Sequence, residues 1–292
     1  MSVLETVGGT PLVELRRLTP SPTVRLLAKL EGNNPGGSVK DRAALAMIRG
    51  AVERGAVGPG ERLVEATSGN TGIALAMIAP RFGLALTLLM PDDATEERVK
   101  LMRAYGAEVV LTPASRTIEY SREEASRLVR EKGYVSLDQF ANPDNVLAHE
   151  RTTGPEIWRD TAGEVTHFVS AMGTTGTIMG VSRFLKSRDP GVRIVGTQPA
   201  DGSSIPGIRR WSPEFVPRIF EPDRVDETLD VSRDEAVAAA RRLALEEGIL
   251  AGVSSGGALA AALRVAQGLS EGVVVFIACD RGERYLSSDL FG

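Results

Sequence analysis

The amino-acid sequence predicts an α/β fold of two domains, each with a mostly parallel twisted sheet that helices flank. Short apolar runs rich in Val, Ile and Leu recur along the chain, and each is followed by a turn signal and then by a segment with helical periodicity. Strands and helices that alternate in this way form parallel sheets covered on both faces. The 292 residues are also enough for two domains of ordinary size.

The predicted strands and helices follow one another through the whole chain. The strands are 26–30, 63–66, 84–90, 108–111, 167–171, 193–198 and 273–278. The helices include 41–54, 70–82, 95–105, 121–132, 176–186 and 233–247. Turn-forming residues at 142–145 end a first set of these units, and a second set begins after 152–155. We therefore expect a smaller domain over 1–145 and a larger one over 146–292, with 13–34 a candidate to cross over to the sheet of the other domain.

Composition excludes several classes of function. Hydrophobic residues make up 42% and charged residues 25% of the chain, as in ordinary globular proteins. Lys and Arg number 34 against 38 for Asp and Glu, and without a dense basic stripe we expect no nucleic-acid partner. The single cysteine, Cys279, cannot form an intrachain disulfide, and His149 and His167 have no metal-ligand spacing, so no metal is expected. No secretory signal or membrane-length apolar run is found, which predicts a cytoplasmic protein without a membrane partner.

One local pattern occurs three times, at 65–72, 171–177 and 252–257: apolar residues, a cluster of Gly, Ser and Thr, and a helix start of small residues. Glycine lets a ligand approach the backbone, and the helix N-terminus supplies free amides, so each copy suits a phosphate or carboxylate. One copy alone is also what ordinary turns and helix caps use. Three copies at the expected C-terminal ends of parallel strands predict a ligand site. None matches the Walker or dinucleotide signature, which makes a nucleotide the weaker hypothesis.

Lys40 lies at the start of a predicted helix, where the helix dipole disfavours a cation. If Lys40 is also desolvated, it loses its proton more readily, and a neutral amine can form a Schiff base with an aldehyde. Taken alone, the residue is more readily interpreted as a solvated lysine paired with a carboxylate.

The neighbouring segments decide between these interpretations. The segments 33–42, 67–72, 173–177 and 252–256 resemble the cysteine synthase family of fold-type II pyridoxal-phosphate enzymes, which share the fold of the tryptophan synthase β chain. Order and spacing match over essentially the whole chain. The segments 154–158, 203–211 and 279–282 are most similar to the B-type branch of that family.

The resemblance implies pyridoxal 5'-phosphate as cofactor and a role for each matching residue. Lys40 would hold the cofactor and then act as the base that removes the substrate α-proton. Asn70 would hold the ring hydroxyl, and Ser254 would face the ring nitrogen. The larger domain would bind the phosphate through Gly173, Thr174, Thr175, Gly176 and Thr177, and the substrate loop would bind a carboxylate through Thr67, Ser68, Asn70, Thr71 and Gln139.

The reaction implied is β-replacement, which makes L-cysteine from O-acetyl-L-serine and sulfide in two half-reactions. S-sulfocysteine would form if thiosulfate replaced sulfide. O-phosphoserine as donor, a carrier-protein thiocarboxylate as sulfur source, and a serine or threonine dehydratase on the same fold remain open alternatives. A homodimer is the family expectation, and binding to serine acetyltransferase is left open. An inactive binding protein of this fold is disfavoured by intact Lys40, Asn70 and Ser254.

Two arginines in the run 207–211 could select the second substrate. One of them would meet an anion such as thiosulfate or the phosphate of O-phosphoserine, and we assign this role to Arg210 rather than Arg209. The alternative is a surface pair that makes weak salt bridges.

Other polar residues receive no catalytic role from the sequence. Cys279 follows an apolar run and is interpreted as a buried strand-end residue, with a thiol lining the site as the alternative. Tyr285, His149 and His167 are interpreted as packing or rim residues. The sequence ends at Gly292, where relatives commonly continue, so a C-terminal tail that could cover the site is either missing or not included in this sequence, and its role as a lid is left open.

Overall fold

The strands form two sheets in residues 1–67 and 69–291, which are the residues that the computed structural model describes. In chain order the strands are β1 (Leu12–Glu14), β2 (Val24–Leu30), β3 (Arg62–Ala66), β4 (Ala85–Pro91), β5 (Glu108–Thr112), β6 (His167–Ala171), β7 (Arg193–Pro199), β8 (Glu227–Val231) and β9 (Gly272–Ala278). The larger sheet has the order β1-β2-β9-β6-β7-β8, and the smaller sheet has the order β3-β4-β5. All pairings are parallel except that of β1 with β2, which confirms the predicted mostly parallel α/β class.

Helices cover both sheets. They are α1 (Lys40–Glu53), α2 (Asn70–Ile78), α3 (Glu96–Ala104), α4 (Thr117–Lys132), α5 (Pro143–Ala148), α6 (Gly154–Asp160), α7 (Gly176–Arg188), α8 (Arg233–Glu247) and α9 (Val253–Gln267). The start of α8 is a capping box, because Ser232 and Glu235 each accept from the other's backbone N–H. None of the helices in the described residues has the length and apolar character needed to cross a membrane.

The predicted strands and helices are present, with ends that shift by a few residues. The helix predicted over 70–82 ends at Ile78 and continues as a 3₁₀ turn, because Pro80 cannot extend the α-helical hydrogen bonds. The strands β1 and β8 were missed, because β1 has only three residues and none of them is buried, and because the side chains of β8 are largely exposed and it lacks an apolar run. The expectation that each glycine-rich loop follows a strand was wrong for 252–257, because the preceding Ala251 forms only an isolated bridge with Arg281.

The strand β9 forms the centre of the larger sheet and is buried on both faces. Val274 and Phe276 point into the core beneath α8 and α9, whereas Val275 and Ile277 point into the opposite core beneath α7. A strand covered on both sides reads as a continuous apolar run, which is why the sequence identified it.

Buried charges join the start of α1 to the larger sheet. The Arg42 guanidinium bonds Glu31 through Nε at 2.7 Å and Glu156 through Nη1 at 2.7 Å. Lys29, on β2, reaches the same Glu156 at 2.8 Å, and its side chain is fully buried. Burial opposes ionisation of Glu156, but its hydrogen bonds to Arg42 prevail and lower its pKa to about 2. The first turn of α1 is therefore fixed against β2 and α6.

Replacing Arg42 by Ala is expected to destabilise the protein by about 3–5 kcal/mol, because buried Glu31 would lose its cation and Glu156 would keep only Lys29. Urea unfolding of the two proteins measures this difference. Arg233→Ala is the matched control, since it removes a solvent-exposed bridge to Asp289 and should cost about 1 kcal/mol or less. Equal losses for the two variants would contradict the prediction.

Candidate active site

A cavity of about 290 Å³ lies at the carboxyl ends of β3, β6 and β9, where parallel α/β proteins bind ligands. Its walls include most of the residues predicted from the sequence: Lys40, Thr67, Asn70, Thr71, Gln139, Gly173, Thr174, Thr175, Thr177 and Ser254. Gly176 lies behind the loop, where an added Cβ would contact Asn145 Oδ1. Ser68 falls outside the described residues. Arg210 is not among the described residues that line this cavity, whereas Arg209 is.

Lys40 is the first residue of α1 and faces the cavity. Among the described residues it forms no ion pair, so the solvated pair that the sequence alone favoured is not formed. Burial lowers the pKa of Lys40, and the nearby Cys279 and Asp280 offset only part of this effect. A neutral amine is therefore more accessible here than at an ordinary lysine.

The loop between β6 and α7 is shaped to receive an anion. Thr175 has φ 69° and ψ −5°, a left-handed conformation that non-glycine residues seldom adopt and that recurs at functional sites. Its Oγ1 is buried and has no hydrogen-bond partner among the described residues. A Cβ on Gly173 would come within 2.7 Å of Gly207 O, so the backbone passes too closely for a side chain. The unpaired hydroxyl and the free amides of the helix N-terminus fit a phosphate group.

His149 supports this loop from behind, a role that the sequence did not reveal. Its Nε2 lies 3.3 Å from Thr177 Oγ1, and its Nδ1 lies 2.9 Å from Thr153 Oγ1. Burial, with smaller contributions from Arg42 and Lys40, lowers the pKa of His149 well below its usual value. The imidazole is therefore neutral and can orient the Thr177 hydroxyl. No sequence signal links His149 to Thr177, since only the fold brings these two residues together.

The opposite wall is the loop between β3 and α2. Thr71 Oγ1 donates to Gln139 Oε1 at 2.8 Å, which brings two of the predicted carboxylate-binding residues together. Asn70 is the first residue of α2, so the free amides of this helix N-terminus also face the cavity. Two anion-suited loops thus line the same cavity as Lys40.

The third loop contributes Ser254, which is 5% exposed and lies in the first turn of α9. Cys279 lies next to Ser254, directly after β9, and lines the cavity. It is therefore both a strand-end residue and a thiol that lines the site, the two interpretations considered from the sequence. Burial and, to a smaller extent, Asp280 raise the pKa of the Cys279 thiol to about 12. The thiol therefore remains protonated at neutral pH and is no nucleophile.

Asp280 connects the loop that starts α2 with the loop that starts α9. Its Oδ2 accepts from Asn70 Nδ2 at 2.7 Å and from Tyr285 Oη at 2.6 Å, and its Oδ1 accepts from the Gly252 amide at 3.2 Å. The guanidinium of Arg98 lies 5.6 Å from the centre of the Tyr285 ring. Tyr285, which the sequence assigned to packing or to the rim, is therefore part of the wall.

The two neighbouring arginines have different environments. Arg210 bonds Asp230 Oδ2 at 2.5 Å and lies 3.4 Å from Asp201 Oδ1. Arg209 forms no ion pair with any described residue, and burial followed by the neighbouring Arg122 lowers its pKa. Arg209 also lines an outer cavity of about 870 Å³, which shares Ala66, Arg122 and Phe140 with the inner one. An unneutralised cation therefore lies where the two cavities meet.

A family model described as pyridoxal-phosphate dependent enzyme matches residues 3–280. Cysteine synthase B of Pseudomonas aeruginosa is 57% identical over 290 residues, which cover 99% of this chain and 97% of the relative. Cysteine synthase B of Salmonella typhimurium is 57% identical over 293 residues, with 100% and 97% coverage. The crystal structure of cysteine synthase from Entamoeba histolytica superposes with a TM-score of 0.94 at 39% identity, with 99% and 90% coverage.

The lowered pKa of Lys40 predicts selective reaction with an aldehyde. Protein freed of cofactor is mixed with pyridoxal 5'-phosphate between pH 6 and 9, reduced with borohydride and mapped by mass spectrometry. Lys40 should be labelled already at neutral pH, because its amine loses the proton below the usual lysine range. Lys100 is the internal control, since its hydrogen bond to Glu96 raises its pKa. Parallel labelling of Lys40 and Lys100 at all pH values would contradict the prediction.

Proposed function

The chain belongs to the pyridoxal-phosphate dependent enzyme family, and on this premise we propose that it makes L-cysteine from O-acetyl-L-serine and sulfide by replacement at the β-carbon. One observation carries the proposal: Lys40, which has a lowered pKa and no ion pair among the described residues, lines the same cavity as two loops that each suit an anion. One loop fits the phosphate of the cofactor, and the other fits the carboxylate of an amino acid.

The residues present fit pyridoxal 5'-phosphate. The amides and hydroxyls of 173–177 would hold its phosphate, with Thr175 Oγ1 gaining the partner that it lacks in the protein alone. Asn70 would donate to the ring oxygen, and Ser254 would meet the ring nitrogen. When bound, the cofactor supplies the electron-withdrawing ring that makes the substrate α-proton acidic.

Lys40 would serve first as the attachment point of the cofactor and then as the base. Once the substrate amino group has taken its place, the Nζ atom is free to accept the α-proton. The lowered pKa of Lys40 favours the unprotonated amine that this step needs. Thr67, Thr71 and Gln139 would hold the substrate carboxylate and so fix the α-carbon near Nζ.

Ser254 favours replacement over reactions that need a long-lived carbanion. A hydroxyl, unlike an aspartate, cannot enforce a positive charge on the ring nitrogen, which makes the ring a weaker electron sink. The leaving group at the β-carbon therefore departs promptly. This supports β-replacement with acetate as leaving group.

We also propose that Arg209, and not Arg210, receives an anionic second substrate such as thiosulfate. The carboxylates of Asp230 and Asp201 already neutralise Arg210, whereas Arg209 has no such partner in the described part of the chain and lines the cavity. Thiosulfate would enter past Arg209 to yield S-sulfocysteine. The phosphate of O-phosphoserine is the competing anion for the same guanidinium. We further expect a cytoplasmic homodimer.

Purified protein with bound cofactor should convert O-acetyl-L-serine and sulfide to L-cysteine, measured as free thiol by a cysteine-specific assay. Lys40→Ala should lower the rate by about 100- to 10,000-fold, because the base is lost. Lys100→Ala, an exposed lysine outside the cavity, should leave it unchanged. Release of pyruvate from serine at a comparable rate would favour the dehydratase instead.

Arg209→Ala should lower kcat/KM for thiosulfate by about 10- to 100-fold and leave kcat/KM for sulfide nearly unchanged, because a charge-assisted hydrogen bond contributes about 1.5–3 kcal/mol. Arg210→Ala is the matched control and should change neither value by more than about threefold. The same variants with O-phosphoserine test whether Arg209 binds the donor instead. If only Arg210→Ala affects thiosulfate, the assignment to Arg209 is wrong.

A further inference from the structure

The side-chain amide of Asn70 must direct its NH₂ group, and not its carbonyl oxygen, at the ring oxygen of the cofactor. An asparagine amide has one carbonyl oxygen, which accepts, and one NH₂ group, which donates two hydrogen bonds. Only the NH₂ group can stabilise an ionised ring oxygen. A rotation of the amide by half a turn would place the carbonyl there and repel that oxygen.

Two charged side chains of opposite sign hold the amide of Asn70 in one orientation. Arg284 Nη1 donates to Asn70 Oδ1 at 2.5 Å, and Asn70 Nδ2 donates to Asp280 Oδ2 at 2.7 Å. A guanidinium cannot accept, and a carboxylate cannot donate, so a rotated amide would lose both bonds. One N–H of Asn70 then remains for a ligand.

Arg284 is itself fixed in place and is committed to this contact. Its Nη2 donates to the carbonyl of Gly36, four residues before Lys40, and an added Cβ at Gly37 would come within 2.5 Å of the same nitrogen. Within residues 1–67 and 69–291 it forms no ion pair, although its charge offsets part of the burial that raises the pKa of Asp41 to about 7. Asp280 is likewise anchored by Tyr285 and by the Gly252 amide.

We propose that Arg284 is a positioning residue that orients and polarises Asn70, so that one amide N–H is directed at the ring oxygen of the cofactor. The cation on Oδ1 withdraws electrons from the amide and strengthens its N–H as a donor. A stronger donor favours the ionised ring oxygen. The inference rests on the proposed function only in taking pyridoxal 5'-phosphate as the ligand that Asn70 faces.

The test compares the parent, Arg284→Gln, Arg284→Lys, Asn70→Ala and the double variant Arg284→Gln with Asn70→Ala, all loaded with pyridoxal 5'-phosphate. Absorption spectra recorded as a function of pH report the protonation of the ring oxygen. Arg284→Gln should increase the fraction with a protonated ring oxygen and lower kcat/KM by about 10- to 100-fold. Arg284→Lys should restore part of both properties, since an ammonium keeps a positive charge beside Oδ1, whereas a glutamine amide can donate but is neutral. Arg242→Gln, which removes an exposed bridge to Glu246, is the matched control and should behave as the parent.

The double variant separates positioning from a structural role. If Arg284 acts through Asn70, the Arg284→Gln change should add little to the spectral shift of Asn70→Ala. Full additivity of the two shifts, or an unchanged spectrum in Arg284→Gln, would overturn the inference. A parent that binds the cofactor but makes no cysteine would refute the proposed reaction while leaving this spectral test intact. If Arg284→Gln does not fold, Arg284→Lys measured alone and combined with Asn70→Ala provides the same test of additivity.

Discussion

The cavity depends on the buried charges around Arg42. Lys40 and Arg42 belong to the same first turn of α1, so any constraint on one fixes the other. Arg42 is bound to Glu31, which follows β2, and to Glu156 on α6. The lysine that faces the cavity is therefore held by the larger sheet, although the helix that carries it packs beside the smaller one. Such buried ion pairs are costly to desolvate, and what they provide here is a defined position rather than stability alone.

Around this fixed point, each wall of the cavity comes from a different part of the chain. The loops that start α2, α7 and α9 present helix N-termini to the same space, and these positive ends also disfavour a protonated Lys40. Segments after Ala278 then bind the loops together, with Asp280 reaching both Asn70 and Gly252. The site can bind anions because these helix N-termini converge on it, and hydrogen-bonded side chains such as Asp280 hold the loops in place.

The sequence predicted what depends on local pattern and failed where the fold joins distant residues. Apolar periodicity located the strands of both sheets except β1 and β8, and the glycine-rich loops located most of the cavity wall. His149 was missed because Thr177, the loop residue that it supports, meets it only in the folded chain. Arg209 and Arg210 are adjacent in sequence and identical in type, so only the carboxylates near one of them distinguish the two. The position of Asp230, on an edge strand without an apolar run, could not be predicted.

The pairing of β2 with β9 has a consequence for how the protein is made. The strand β2 lies near the start of the chain, yet its parallel neighbour runs from Gly272 to Ala278. During synthesis β2 emerges from the ribosome long before its partner exists, and the edge that pairs with β9 stays unpaired until residues 272–278 have been translated. Loop closure over this distance is slow, so the larger sheet is expected to complete its folding only after β9 has been made. A nascent chain of this kind is a natural client for chaperones that shield strand edges.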